Sequence, residues 1–114
     1  MSKDANVYLE DILESISRIE NYTKQFNERN FVEDLKCQDA VIRRLEIIGE
    51  AVKSLPENLK VKHPAIPWKK IAGTRDKLIH LYFGVNVDLI WKVVKEEIPL
   101  LKKQIKEILE AENK

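Results

Sequence analysis

The sequence predicts an all-α fold: an antiparallel four-helix bundle with one short additional helix, in a single domain spanning residues 1–114. Three observations predict it. Apolar residues recur every three or four positions over long stretches, no stretch alternates as a half-buried strand does, and the breakers Gly (3) and Pro (4) are scarce. Hydrophobic residues at 44% can fill one core, and charged residues at 34% can cover the outer helix faces.

Val7, Leu9, Ile12, Leu13, Ile16, Ile19, Tyr22 and Phe26 write the first helix, with acids and bases on its other face. Asn27 to Asn30 reads as a tight polar turn. The second helix runs from about Phe31 to Ser54 on a stripe of Phe31, Leu35, Val41, Ile42, Leu45, Ile48, Val52 and Leu55, and Pro56 stops it. Each helix is about 30 Å long at ~1.5 Å per residue, and the short turn between them sets them antiparallel. Residues 56–66 read as a loop. Pro67 suits the first position of a new helix, where its missing N–H costs nothing, and Trp68 and Ile71 pack that turn inward. Gly73-Thr74 predicts a bend or restart with Thr74 as N-cap, and Gly84 predicts a C-terminal cap. The last helix starts near Asn86 or Asp88 and carries Ile90, Trp91, Val94, Ile98, Leu101, Ile105 and Ile108 on one side. Pro99 lies inside it and predicts a kink or a split.

Composition narrows the function. One cysteine, Cys37, makes neither an intramolecular disulfide nor a cysteine zinc cage, and reads as a small buried hydrophobe. There is no His-x3-His or Glu-x-x-His pair, so no metal site is expected. Three scattered glycines form no phosphate loop, and no nucleotide cofactor is expected. The apolar runs are too short to span a bilayer and the N-terminus is unlike a signal peptide, so the expected location is cytoplasmic, with no membrane partner. Net charge is only +1, but its distribution is uneven. Residues 60–77 carry Lys60, Lys62, Lys69, Lys70, Arg75 and Lys77 against Asp76 alone, a net of +5, whereas residues 1–35 hold a net of −4.

That basic stretch runs into Arg75-Asp76-Lys77-Leu78-Ile79-His80-Leu81-Tyr82. Asp76 and His80 are four apart and share a helix face, where a carboxylate can fix the imidazole's tautomer and raise its basicity. Arg75 and Tyr82 are seven apart and nearly aligned, while Arg75 and His80 differ by about 140° on an ideal helix. Two readings stand side by side. In one, His80 caps a helix end, Arg75 and Asp76 form a surface ion pair, and Tyr82 packs in the core. In the other, His80 moves a proton, Arg75 binds an anion, Asp76 supports His80, and Lys69, Lys70 and Lys77 hold a phosphodiester backbone.

Arg75-x4-His80-x-Tyr82 resembles the R-x4-6-H motif, with its trailing tyrosine, of the HepT-like branch of the HEPN superfamily. The blocks Asp39–Ala51, Ile66-Pro67-Trp68, Ile71-Ala72-Gly73 and His80-Leu81-Tyr82-Phe83-Gly84-Val85 resemble that branch as well, so the likeness covers nearly the whole chain. It implies a dimeric HEPN ribonuclease toxin, independent of metal, with Arg75 and His80 catalytic and RNA as substrate. The implied partner is an MntA-like nucleotidyltransferase antitoxin that adds AMP to the tyrosine matching Tyr82. A dimer also answers a chemical need. Attack of a 2′-OH on the adjacent phosphate uses a base and an acid, and one protomer offers one suitable histidine. Two symmetry-related His80 side chains in a shared cleft supply both, with the Arg75 pair stabilising the phosphorane charge. An ordinary histidine pKa near ~6.5 lets one ring be neutral and the other protonated around neutrality. AMP on Tyr82 would fill that positive cleft with a bulky anion and block RNA without any conformational change. Glu46 and Glu50 share a face of the second helix beside Gly49, which places Glu50 or Arg43 as candidates for the dimer surface.

Two other functions fit the same residues. One is a non-catalytic HEPN module that binds a nucleotide or partner and assists a nucleotidyltransferase; the near-neutral net charge favours it. The other is a purely structural dimeric bundle.

Overall fold

A computed structural model describes residues 3–80 and 87–113, with side chains over 5–74 and 87–113. Seven α-helices and one π-helical turn make up the described chain, and no strand occurs among the described residues. Helix α1 (Lys3–Thr23) packs along α3 (Leu35–Ser54) and α7 (Ile98–Glu112), while α5 (Trp68–His80) lies against α3. Leu9, Ile12, Ile16 and Ile19 of α1 meet Val41, Leu45, Ile48 and Val52 of α3 and Leu101, Ile105 and Ile108 of α7 in one core. Two members of the predicted stripes lie outside it: Val7 is 49% exposed and Leu35 73% exposed.

The first helix ends at Thr23, short of Phe26. The Thr23 hydroxyl donates to the Ile19 carbonyl at 2.8 Å, and the Phe26 N–H donates to the Thr23 carbonyl at 2.9 Å, closing a turn. Phe26 still packs on the core from that connection. The predicted turn Asn27–Asn30 instead opens a helix, α2 (Glu28–Glu33). The Asn27 side chain accepts from the Asn30 N–H at 2.9 Å and the Asn30 side chain accepts from the Asn27 N–H at 2.7 Å, a reciprocal capping box.

The predicted helix from Phe31 to Ser54 is broken at Asp34, which adopts φ −108°, ψ 96°. Its carboxylate accepts from the Cys37 N–H at 2.8 Å and so caps α3. The break orphans the last carbonyls of α2. Buried Gln38 answers two of them, its Nε2 donating to Phe31 and Val32 at 2.9 Å each.

Helix α3 ends where expected. Leu55, held extended ahead of Pro56 at φ −68°, ψ 142°, terminates it. The predicted loop 56–66 contains a further short helix, α4 (Glu57–Lys62), which buries Leu59. Pro67 stands one place earlier than expected. It precedes α5 and its carbonyl accepts from the Ile71 N–H at 3.0 Å, the role of an N-cap. Trp68 anchors the helix start, its indole N–H donating to the carbonyls of Lys60 (3.2 Å) and His63 (3.0 Å).

Gly73-Thr74 neither bends nor restarts the chain. Helix α5 runs through both residues, and the Thr74 hydroxyl donates back to the Lys70 carbonyl at 2.9 Å instead of capping a new helix. Gly73 has no positive φ, and a Cβ placed on it meets no atom within 4 Å among the described residues. A glycine there costs the helix about 1 kcal/mol relative to alanine. The expected cap at Gly84 lies outside the described residues.

The last helix begins at Val87 as α6 (Val87–Lys92) and passes into a π-helical turn over Val93–Glu97 before α7. The Ile98 N–H donates to the carbonyl of Val93, five residues back, and Pro99 occupies the first turn of α7. The expected interruption near Pro99 therefore takes the form of a widened turn, because proline can supply no N–H to the ladder behind it. Phe31 of α2 and Trp91 of α6 pack with ring centroids 5.1 Å apart and planes tilted by 37°, fastening the short helix to the C-terminal arm.

Among the described residues, one buried side-chain polar group has no partner. The Ser15 hydroxyl, on a residue 1% exposed, makes no hydrogen bond among the described residues. Ser15→Ala is expected to raise stability by about 1 kcal/mol, the cost of an unanswered buried hydroxyl. Chemical denaturation of both proteins checks it, with an unchanged m-value showing that the effect lies in the folded state.

Candidate active site

Arg75 and His80 lie on the same uninterrupted helix, α5, in its C-terminal half. Its backbone also carries Asp76 and Lys77; the side chains of these four residues, and Tyr82 altogether, lie outside what the structure describes. Of the basic residues flanking the motif, Lys69 is exposed in the first turn of α5. Lys70 is committed elsewhere: its ammonium donates to the Glu97 carboxylate of the π turn at 2.6 Å. That hydrogen bond, with the nearby negative charge, raises the Lys70 pKa and keeps the group charged. Both ends are exposed (66% and 45%), so the pair contributes little to stability and mainly orients Lys70.

The Lys70–Glu97 pair spans a groove of about 210 Å³ between α5 and the π turn, with an apolar floor that includes Leu45, Ile48, Ile71 and Leu101. Thr74 and Lys70 both line it, so this side of α5 faces the C-terminal arm. Sequence reading missed Glu97 because a partner 27 residues away leaves no local pattern.

The second histidine has a structural role. His63 Nε2 lies 3.3 Å from Glu112 Oε1, and Lys62 Nζ lies 2.9 Å from the same oxygen, tying α4 to the end of α7. Hydrogen bonds from Lys62 and then His63 hold the Glu112 carboxyl below the usual glutamate range. A depressed carboxylate stabilises the fold above its unfolded pKa, and that contribution is lost as pH falls through the folded value. Glu112→Gln is therefore expected to lower Tm at neutral pH, with the difference from the parent closing in acid below the ordinary glutamate pKa. Thermal melts of both proteins across pH 3–8 check it, with the gap expected to narrow only on the acid side.

Cys37 is buried, and its thiol donates to the Tyr22 carbonyl at 3.7 Å. Burial, helped by the charge of Asp34, pushes its pKa up, so it stays protonated and unreactive as expected. Arg43 is 70% exposed and lies 3.7 Å from Glu46 on α3, and Glu50 is exposed on the same helix. No helix among the described residues is long and apolar enough to cross a membrane.

A small all-helical domain with an Arg-x4-His pair closing one helix is the class that fold and motif define. The chain matches the family model for HepT-like ribonucleases over residues 12–108, and it belongs to that family. Family membership makes it an enzyme of the ribonuclease class. It is 54% identical over 102 residues to a probable ribonuclease HepT of Thermococcus cleftensis, covering 90% of this chain and 93% of that protein. It is 50% identical over 110 residues to a putative RNase of Caldanaerobacter subterraneus, covering 96% and 98%. A protein of Methanocaldococcus jannaschii named as a gamma-glutamylcyclotransferase and putative RNase is 53% identical over all 114 residues, and the chain spans about half (51%) of its length. No solved structure matches the chain.

Proposed function

We propose that the protein is a metal-independent endoribonuclease toxin that cleaves RNA with Arg75 and His80 in a cleft shared by two copies of a four-helix bundle. The observation that carries this reading is the family match over residues 12–108 together with both motif residues on one continuous helix. His80 serves as base for the 2′-OH in one copy and as acid for the leaving oxygen in the other, with Asp76 holding the ring. Arg75 stabilises the negative charge that builds on the phosphorus oxygens. A nucleotidyltransferase antitoxin of the MntA type neutralises the enzyme by adding AMP to Tyr82, and both act in the cytoplasm. His63 supports the assignment of the catalytic histidine by its engagement with Glu112, which leaves His80 as the histidine available for chemistry.

The test is cleavage of RNA in EDTA by protein confirmed by mass spectrometry to be free of AMP. Cleavage by the parent and a loss of about 10²–10³-fold in Arg75→Ala support the reading. A parent that binds nucleotide but cuts no RNA assigns the chain to the non-catalytic binding class instead.

A further inference from the structure

We infer that Glu112 and His63 are positioning residues for the proposed cleavage: a relay of contacts from the end of α7, through the end of α4, to Trp68 sets where the motif helix starts. The inference rests on the ribonuclease reading above. Helix α5 is continuous from Trp68 to His80, so whatever holds its head also aims its far end. Arg75 and His80 lie about 10 and 18 Å along it at ~1.5 Å per residue, and a tilt of about 3° at the head displaces the His80 backbone by about 1 Å.

The head of α5 has no side-chain cap of its own. Pro67 stands in the N-cap place and has no polar side chain to offer the first N–H groups. The Trp68 indole supplies the anchor instead. The residue is 9% exposed, and its N–H is shared between the carbonyls of Lys60 and His63 at 3.2 and 3.0 Å. Those carbonyls belong to the end of α4, a six-residue helix whose N-cap Pro56 makes no side-chain bond. A helix that short is marginal by itself, so its end needs an outside hold. His63 is the C-cap of α4, at φ −127°, ψ 63°, and its carbonyl also accepts from the Ile66 N–H at 3.3 Å. One oxygen therefore closes the turn into α5 and holds the indole. The His63 ring fastens the same residue to α7: Glu112 Oε1 lies 3.3 Å from His63 Nε2 and 2.9 Å from Lys62 Nζ, on a side chain only 10% exposed. The end of α7 is fixed in turn, since Asn113 and Asn6 of α1 exchange side-chain amide hydrogen bonds at 3.3 Å. His63 thus joins α7 by its ring and α5 by its carbonyl.

Three variants cut the relay at its three members. Trp68→Phe keeps an aromatic ring and removes the N–H, His63→Ala removes the middle, and Glu112→Ala the far end. Assayed in EDTA well below each Tm, each is expected to lower kcat for RNA cleavage about tenfold, within the ~10²-fold that a 1 Å misplacement can cost, with KM changed by no more than about twofold. Charge predicts the opposite sign for Glu112→Ala, because loss of a carboxylate makes the protein more attractive to RNA. His63→Gln, whose amide can still donate to Glu112, is expected to recover most of the rate. The double variant His63→Ala/Glu112→Ala is expected to lose no more than either alone. In nitrogen-15 NMR spectra the Trp68 indole N–H, assigned by its absence from Trp68→Phe, is expected to exchange with solvent faster in His63→Ala and Glu112→Ala, with the Trp91 indole as internal reference. Parental kcat in His63→Ala or Glu112→Ala overturns the inference even where Tm falls, since the tie then serves stability alone. Lost kcat with unchanged Trp68 exchange overturns it as well. If the parent cuts no RNA, the ribonuclease reading falls and takes the inference with it, whereas a cutting parent with indifferent variants sinks the inference alone.

Discussion

His80→Ala is expected to abolish RNA cleavage, lowering the rate by at least ~10²-fold, the contribution of a positioned acid or base. The size follows from the residue inventory. The chain has two histidines, and His63 is bound into the α4–α7 tie, so no other imidazole can take over the proton. The shared-cleft mechanism makes a sharper demand on mixtures. If both copies contribute a ring to one reaction, equal amounts of parent and His80→Ala chains, exchanged to equilibrium, leave about a quarter of the dimers with two histidines. Cleavage then falls to about half that of the parent chains alone. A mixture that keeps full activity means each protomer works by itself and sinks the shared cleft, whatever the single variant does. The pH profile of kcat/KM is a second check, since one ring acting as base and one as acid gives a bell, which a single titrating group does not.

Tyr82→Phe is expected to leave cleavage intact and make it immune to the nucleotidyltransferase. Phenylalanine keeps the ring and removes only the phenolic oxygen on which AMP would be carried. Incubated with the antitoxin and ATP, the parent should gain AMP and lose its activity, while Tyr82→Phe gains none and continues to cut. Intact-mass measurement alongside the cleavage assay separates the outcomes. A Tyr82→Phe protein that is still modified, or still silenced, moves the switch to another residue. Cleavage lost in Tyr82→Phe before any antitoxin is added would give the hydroxyl a part in the reaction itself.

The long elements were legible because burial imposes a period that survives any local accident. Leu9, Ile12, Ile16 and Ile19, or Leu101, Ile105 and Ile108, can serve a core only as helical stripes. The misreadings at Asn27–Asn30, Asp34 and Thr74 share one cause: short polar side chains that bond the backbone locally. Asn27 and Asn30 read as a turn because asparagine disfavours helix interiors, yet their reciprocal bonds start a helix. Asp34 gave no warning of a break, since an aspartate between apolar positions looks like surface, and the Gln38 contacts that accommodate the break become visible only in three dimensions. Thr74 showed the reverse case, with a hydroxyl that suits a cap turned back along an unbroken helix. Of the candidate site, the helical state of the Arg75–His80 stretch was readable from spacing, but the start of its helix was placed at Thr74 and not at Trp68. The redirection of Lys70 toward Glu97 was not readable, because it depends on how the C-terminal arm folds back across α5.

The anchoring of Trp68 and Trp91 has a practical consequence. These are the chain's two tryptophans, and they bracket the motif segment in sequence, one at the head of α5 with its indole N–H bound to two carbonyls, the other packed at a tilt against Phe31 with the Lys95 ammonium 4.6 Å from its ring. The protein thus carries a built-in fluorophore on each side of the motif segment in the sequence, in two distinct surroundings. Replacing either indole with phenylalanine would leave a single emitter, so label-free spectroscopy could report separately on the head of α5 and on the start of the C-terminal arm when RNA is added.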